Sequence, residues 1–278
     1  NTMSHPQGKK GSRVVEGHVA RKRFGQNFLS DDRVIQQIVA SFQPGTEQNV
    51  VEIGPGLGAL TKVLLPALGH MQVVELDRDL AARLPNTLAG MGELVIHSGD
   101  ALQFDFAPLA SAPGASDLRV IGNLPYNIST PLIFHLLSQV GVIRDMHFML
   151  QKEVVDRLCA EPGSNDYGRL SVMVQYRCQP EWLFDVPPEA FSPPPKVTSA
   201  IVRLTPHSEL PYPCRDEKLL GEVVMAAFTM RRKTLRNALG RYPEEILRST
   251  GVNLGSRPET LSVADYVNIT NALAEATT

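Results

Sequence analysis

Short apolar runs and helical periods alternate through the first half of this chain. Val34, Ile35, Ile38 and Val39 recur at helical spacing behind Ser30 and Asp31, either of which can cap a helix over 32–42. Apolar runs at 50–53, 72–75, 94–97, 118–121 and 142–150 then predict five strands. Helical periods at 57–68, 78–88, 130–139 and 152–160 fall between or after them. Alternation of this kind predicts a parallel sheet covered on both faces.

The rhythm then changes. Residues 182–186 and 197–204 predict two strands joined by Pro- and Phe-rich coil, an antiparallel pair closing one edge of the sheet. Pro206, Pro211 and Pro213 mark a linker, and 217–230, 233–239, 244–249 and 263–274 carry helical periods. The predicted organisation is a disordered extension over 1–20, an α/β sheet domain over 21–208 and a small all-helical domain over 209–278. A length of 278 residues accommodates that arrangement.

Composition adds little: 43% hydrophobic and 20% charged residues, ordinary for a globular chain, with net charge −2. The distribution of charge says more. Residues 1–30 hold six Lys/Arg against Glu16 alone, and 215–241 hold seven against Asp216, Glu217 and Glu222. Two basic patches on a mildly acidic chain suggest contact with phosphates. Cys159, Cys178 and Cys214 form no C-x-x-C, which excludes a familiar zinc spacing and argues against a disulfide framework. No metal is expected. With no run of 18 apolar residues and no apolar signal core, a cytoplasmic protein without membrane attachment is the simplest expectation.

Two loops carry candidate chemistry. Between the first strand and its helix stands Glu52-Ile53-Gly54-Pro55-Gly56-Leu57-Gly58-Ala59, whose glycines permit a tight turn and close approach of a ligand to the backbone. Glu75 ends the next strand 21 positions after Gly54, where a carboxylate can accept both ribose hydroxyls of a nucleotide. That loop alone suits a dehydrogenase as well as a methyltransferase. Asp100 at the third strand's end adds an acceptor for an adenine amine. The fourth strand ends in Asn123-Leu124-Pro125-Tyr126. This turn offers an amide oxygen, a backbone carbonyl kept out of a helix by the proline, and an aromatic face. That set fits the exocyclic amine of a flat base and has no obvious role in hydride transfer.

Taken together, the motifs resemble those of the bacterial small-subunit (16S) rRNA adenine N6,N6-dimethyltransferases, the KsgA family. Five stretches carry the resemblance in order: 22–29 (KRFGQNFL), 51–58 (VEIGPGLG), 123–130 (NLPYNIST), 191–200 (FSPPPKVTSA) and 231–237 (RRKTLRN). The resemblance implies a Rossmann-like seven-stranded sheet dependent on S-adenosyl-L-methionine, a helical C-terminal domain, and dimethylation of two adjacent adenosines near the 3′ end of small-subunit rRNA. It implies cofactor contacts at Gln26, Asn27, Leu29, Gly54, Gly56, Glu75, Asp100 and Asn123. The base would be held by Asn123, Leu124, Pro125 and Tyr126, with Phe191 as candidate for its second face. Rings beside prolines are often core plugs, and only the resemblance favours the functional role for Phe191. Arg21, Lys22, Arg23, Arg231, Arg232, Lys233 and Arg236 are the expected RNA contacts. Arg232, Lys233 and Arg236 are expected to share one turn of helix. The expected partner is the rRNA of an assembling small subunit (a pre-30S particle), met by a monomer. The alternatives are the related large-subunit dimethylases of macrolide resistance, an assembly factor for which methylation is secondary, and a dehydrogenase. His97, His135, His147 and Trp182 read as packing residues. The loop 111–117 is slightly long for the family.

Overall fold

The computed structural model describes residues 27–277 other than Arg231, together with the backbone of Val14–Val15 and His18–Val19. Those two pairs form a short antiparallel ribbon within a segment expected to lack structure.

A seven-stranded sheet organises the chain: β1 Asn49–Ile53, β2 His70–Glu75, β3 Glu93–Ser98, β4 Leu118–Asn123, β5 Ile143–Gln151, β6 Cys178–Val186 and β7 Ser199–Pro206. Their spatial order is β3-β2-β1-β4-β5-β7-β6. The pairs among β1 to β5 are parallel. β7 runs antiparallel to both β5 and β6, so the last two strands form the expected antiparallel closure, with β7 inserted inside the edge.

Side chains alternate across this sheet, and each face has its own core. On one face Val51, Val120, Phe148 and Val202 pack with α4 (Ser129–Ser138) and α5 (Lys152–Cys159). On the other, Val50, Val73, Ile121, Met149 and Ile201 meet α1 (Asp32–Phe42) and α2 (Thr61–Leu68), with α3 (Arg78–Thr87) alongside. The cap of α1 is Asp31, whose carboxylate accepts from the N–H groups of Arg33 and Val34.

The helix expected over 57–68 begins only at Thr61. Gly58 takes φ +88°, which no α-helix tolerates, and residues 57–60 make turns instead. One helix is absent from the sequence pattern altogether: α6, Arg169–Arg177. Its Leu170 and Val174 enter the sheet core, while Val172 and Tyr176 enter a third core. That core is built from α7 (Glu217–Thr229), α8 (Leu235–Ala238), α9 (Glu244–Ser249) and α10 (Val263–Ala276). No helix among the described residues is long and apolar enough to cross a membrane.

Candidate active site

Everything the sequence singles out in the sheet converges at one end of it. β1 runs into a loop where Gly54, Gly56 and Gly58 take φ of +67°, +59° and +88°. A Cβ on Gly54 would stand 3.6 Å from the Asn123 carbonyl oxygen, inside the space between the loop and the end of β4. A Cβ on Gly56 would press within 3.2 Å of the Phe28 ring. Gly122 answers a different demand: any side chain there would meet the Ile53 carbonyl at 2.6 Å, so β4 can lie this close to β1 only with glycine.

Two buried carboxylates sit behind the loop. Glu75 accepts the Gly56 N–H on one oxygen and the Asp77 N–H on the other, both at 3.0 Å. The Leu76 N–H also acts on this carboxylate, which with about four acceptor sites still has room for a further donor. Burial raises its pKa; the backbone bonds from Asp77 and Gly56 oppose that shift. Glu52, 2% exposed, takes the Thr61 hydroxyl at 2.5 Å. Burial, aided by repulsion from Glu75 and opposed by the Thr61 bond, pushes its pKa up to about 7. Asp100 is held by the Leu102 N–H at 2.9 Å.

The Asn123–Tyr126 turn presents its acceptors outward. The Asn123 amide nitrogen donates to the Asn27 carbonyl at 3.1 Å, which leaves the amide oxygen as the available end. The Leu124 N–H is tied to Met149 O at 3.2 Å. Ile128 N–H occupies the Pro125 carbonyl, and the Ser129 hydroxyl occupies that of Tyr126. The Leu124 carbonyl accepts from none of the described residues. Two acceptors on one turn are thus unused, and beside them Tyr126 is 55% exposed.

Phe191 closes the far side. Phe191–Ser192 pairs antiparallel with Phe28–Leu29, and Ala190 O accepts from the N–H groups of Ser30 and Asp31 at 2.9 and 3.2 Å. This lashes the N-terminal segment to the coil between β6 and β7. Phe191 is only 4% exposed and packs in the core with Leu29, yet it lines the same cleft as Tyr126.

Of the predicted cofactor residues, Asn27, Leu29, Gly54, Gly56, Glu75, Asp100 and Asn123 all line this cleft. Gln26 lies outside the described residues, as do Arg21, Lys22, Arg23 and Arg231. Sequence reasoning missed Phe28, Leu76, Gln151 and Ser199, which also line it. Leu76 had a signal: it directly follows Glu75, and it is 42% exposed at the mouth of a nucleotide-type site.

The basic stretch in the helical part departs from expectation. α8 starts at Leu235, behind Thr234 in extended conformation, so Arg232 and Lys233 sit in a turn and share no helix face with Arg236. The carbonyls of Ser256 and Leu254 take up the N–H groups of Leu235 and Arg236, fixing the helix start there. Arg236 is paired with Glu244 at 2.8 Å, whereas Arg232 and Lys233 are exposed with no ion pair among the described residues. No group of three or more metal-ligating side chains occurs among the described residues.

A glycine loop, a ribose-type carboxylate and an Asn-Leu-Pro-Tyr turn on a sheet with one reversed strand define a methyltransferase. Residues 17–275 match the family described as ribosomal RNA adenine dimethylase, and the chain belongs to that family. It is 59% identical to the ribosomal RNA small subunit methyltransferase A of Marinobacter nauticus, over 93% of each chain. It is 55% identical to that of Pectobacterium atrosepticum, over 95% of this chain and 97% of the other. Among solved structures it resembles a dimethyladenosine transferase from Plasmodium falciparum (TM-score 0.73, 24% identity, 87% of this chain and 95% of the other). It also resembles the 23S rRNA methyltransferase ErmE (TM-score 0.67, 26% identity, 89% of this chain and all of the other).

Proposed function

We propose that this enzyme transfers methyl groups from S-adenosyl-L-methionine to N6 of two adjacent adenosines near the 3′ end of small-subunit rRNA, on an assembling pre-30S particle. The observation that carries this reading is the pair of unused acceptors, the Asn123 amide oxygen and the Leu124 carbonyl, on the turn facing the glycine loop. An N6 amine has two hydrogens to give and a lone pair delocalised into its ring. Accepting both hydrogens holds the nitrogen in place and localises its lone pair. Placement of this kind can contribute up to roughly 7–11 kcal/mol of a barrier, against about 1–3 kcal/mol for stacking of the base on Tyr126 and Phe191. Positioning therefore dominates and no general base is assigned; the proton N6 loses with each methyl passes to solvent.

The glycine cradle and the spare acceptor sites on Glu75 fit a nucleoside cofactor. Gly54, Gly56, Asn27 and Leu29 would surround it, Glu75 would take its ribose hydroxyls and Asp100 its adenine amine. When bound, S-adenosyl-L-methionine supplies an electrophilic methyl group on a sulfonium. The catalytic unit is assigned to 21–208 and rRNA recognition to 209–278, with Arg232 and Lys233 as backbone contacts. Arg21, Lys22, Arg23 and Arg231 are assigned the same role from sequence. The protein is taken as a cytoplasmic monomer. The small-subunit target is favoured over the large-subunit one by 59% identity to a small-subunit enzyme against 26% to ErmE. The test is methyl transfer to small subunits from a strain lacking such an enzyme. Two N6,N6-dimethyladenosines in the product are expected; methylation only of large-subunit rRNA would overturn the assignment.

A further inference from the structure

The Asn123–Tyr126 turn holds a base by its amine, and a single amine leaves the ring free to swivel. A second contact, to a ring nitrogen flanking the amine, fixes how the ring sits. N1 and N7 both lack hydrogen, so each calls for a protein donor.

The strand register places two such donors in the cleft. On β4, β5 and β7 the side chains of Asn123, Gln151 and Ser199 fall on one face, in step with Ile121, Met149 and Ile201 of the same core. Asn123 lies opposite Met149 across one strand pair, and Gln151 lies opposite Ser199 across the next. Directly opposed residues have Cβ atoms about 5 Å apart. Gln151 and Ser199 therefore form a polar pair one pleat outward from Asn123, and both line the same cleft. Neither side chain hydrogen-bonds to any described residue. Ser199 is 7% exposed overall, and its hydroxyl is the part left open to the cleft. Gln151 immediately precedes α5 yet gives that helix no side-chain cap. The local structure uses neither group.

We infer that Gln151, supported by Ser199, donates a hydrogen bond to a ring nitrogen flanking the amine of the target adenine and so positions the base; this rests on the proposed reading of the cleft. The amide N–H of Gln151 meets N1 or N7, while Asn123 and Leu124 accept from N6.

The test compares wild type with Gln151→Leu on small subunits reassembled with adenosine, 1-deazaadenosine or 7-deazaadenosine at the target. Wild type is expected to lose about tenfold in kcat/KM on one deaza substrate. Gln151→Leu should lose a similar factor on adenosine and show no further loss on that same analogue. Ser199→Ala should behave likewise with a smaller loss. S-adenosyl-L-methionine binding should be unchanged in both variants. Should Gln151→Leu fold poorly, Gln151→Glu keeps the size and removes the amide donor. Its activity relative to wild type should rise as pH falls and its carboxyl group becomes a donor. A Leu variant equal to wild type on adenosine, one that retains the full deaza penalty, or a Glu variant with no such pH rise overturns the inference. Failure of wild type to methylate adenosine-bearing subunits at all overturns the reading of the cleft itself.

Discussion

The two ends of this sheet handle buried charge in opposite ways. Where β4 and β5 begin, Arg119 (5% exposed) grips Asp145 through Nε and Nη2, donates to Gln48 Oε1 at 2.7 Å, and lies 3.8 Å from the centre of the Phe42 ring. Burial alone would raise the Asp145 pKa, yet the His147 and Arg119 contacts bring it down to about 2. Where the parallel strands end, Glu52 and Glu75 have no cation partner among the described residues, and burial raises both pKa values. The first end satisfies its charges internally. The second leaves acceptors open on Glu75, Asn123 and Leu124. Open acceptors beside buried carboxylates suit a ligand with matching donors, as the proposed function requires.

The comparison can be broken in several ways. The largest effect is expected from Asn123→Ala, which should lower single-turnover methyl transfer by roughly 10²–10³-fold, the range for losing one preorganised contact. Subunit binding, followed by sedimentation, should persist; loss of sedimentation would reassign Asn123 to docking. At the opposite end, Arg119→Met strands Asp145 without its guanidinium and should cost about 3–5 kcal/mol in urea unfolding. Activity per folded molecule should be unaffected.

Glu52→Gln sharpens the contrast by changing the sign. A buried acid with a raised pKa binds its proton more tightly folded than unfolded, so its contribution falls as pH rises from about 4.5 to about 7. The substitution should therefore stabilise the protein by up to about 3 kcal/mol at pH 8 and by little at pH 4. Equal effects at both pH values would place the Glu52 titration elsewhere. His147 runs the other way. Burial, with Arg119 nearby, lowers its pKa, so its contribution holds above about 6.5 and is lost as pH falls.

Glu75→Ala should weaken S-adenosyl-L-methionine binding by roughly 1–3 kcal/mol in calorimetry, as hydrogen bonds to a charged acceptor are lost. The smallest effect concerns the helical part. Arg232→Ala with Lys233→Ala should reduce the slope of log affinity against log salt for subunits by about 1.5, with cofactor binding intact. Adding Arg236→Ala should change the slope little, because that guanidinium already pairs with Glu244.

The sequence made the strands, most helices and the glycine loop legible because each depends on neighbours close in the chain. The missing helix α6 shows the limit. Leu170, Val172, Val174 and Tyr176 are all buried, and their spacing of two suggests a strand. The helix buries opposite sides in different cores, so it shows no polar stripe. The cleft shows the same divide. Asn123 and Glu75 stand in local motifs. Gln151 and Ser199 become neighbours only because β7 inserts beside β5, a long-range pairing that no short stretch encodes. The basic stretch misled because a charge count says nothing of where a helix starts, and here the carbonyls of Leu254 and Ser256 set that point.

Shared ownership of α6 has a mechanical consequence. A hinge needs a seam across which few apolar contacts are lost on opening. Here one helix inserts Leu170 and Val174 into the sheet and Val172 and Tyr176 into the helical bundle, so splaying the two apart would uncover a core on one side or the other. The molecule consequently behaves as a fixed calliper. The span from the Asn123–Tyr126 turn to the exposed Arg232–Lys233 turn is set at folding, and under the proposed function an RNA would have to bring its adenosine and its backbone to that span.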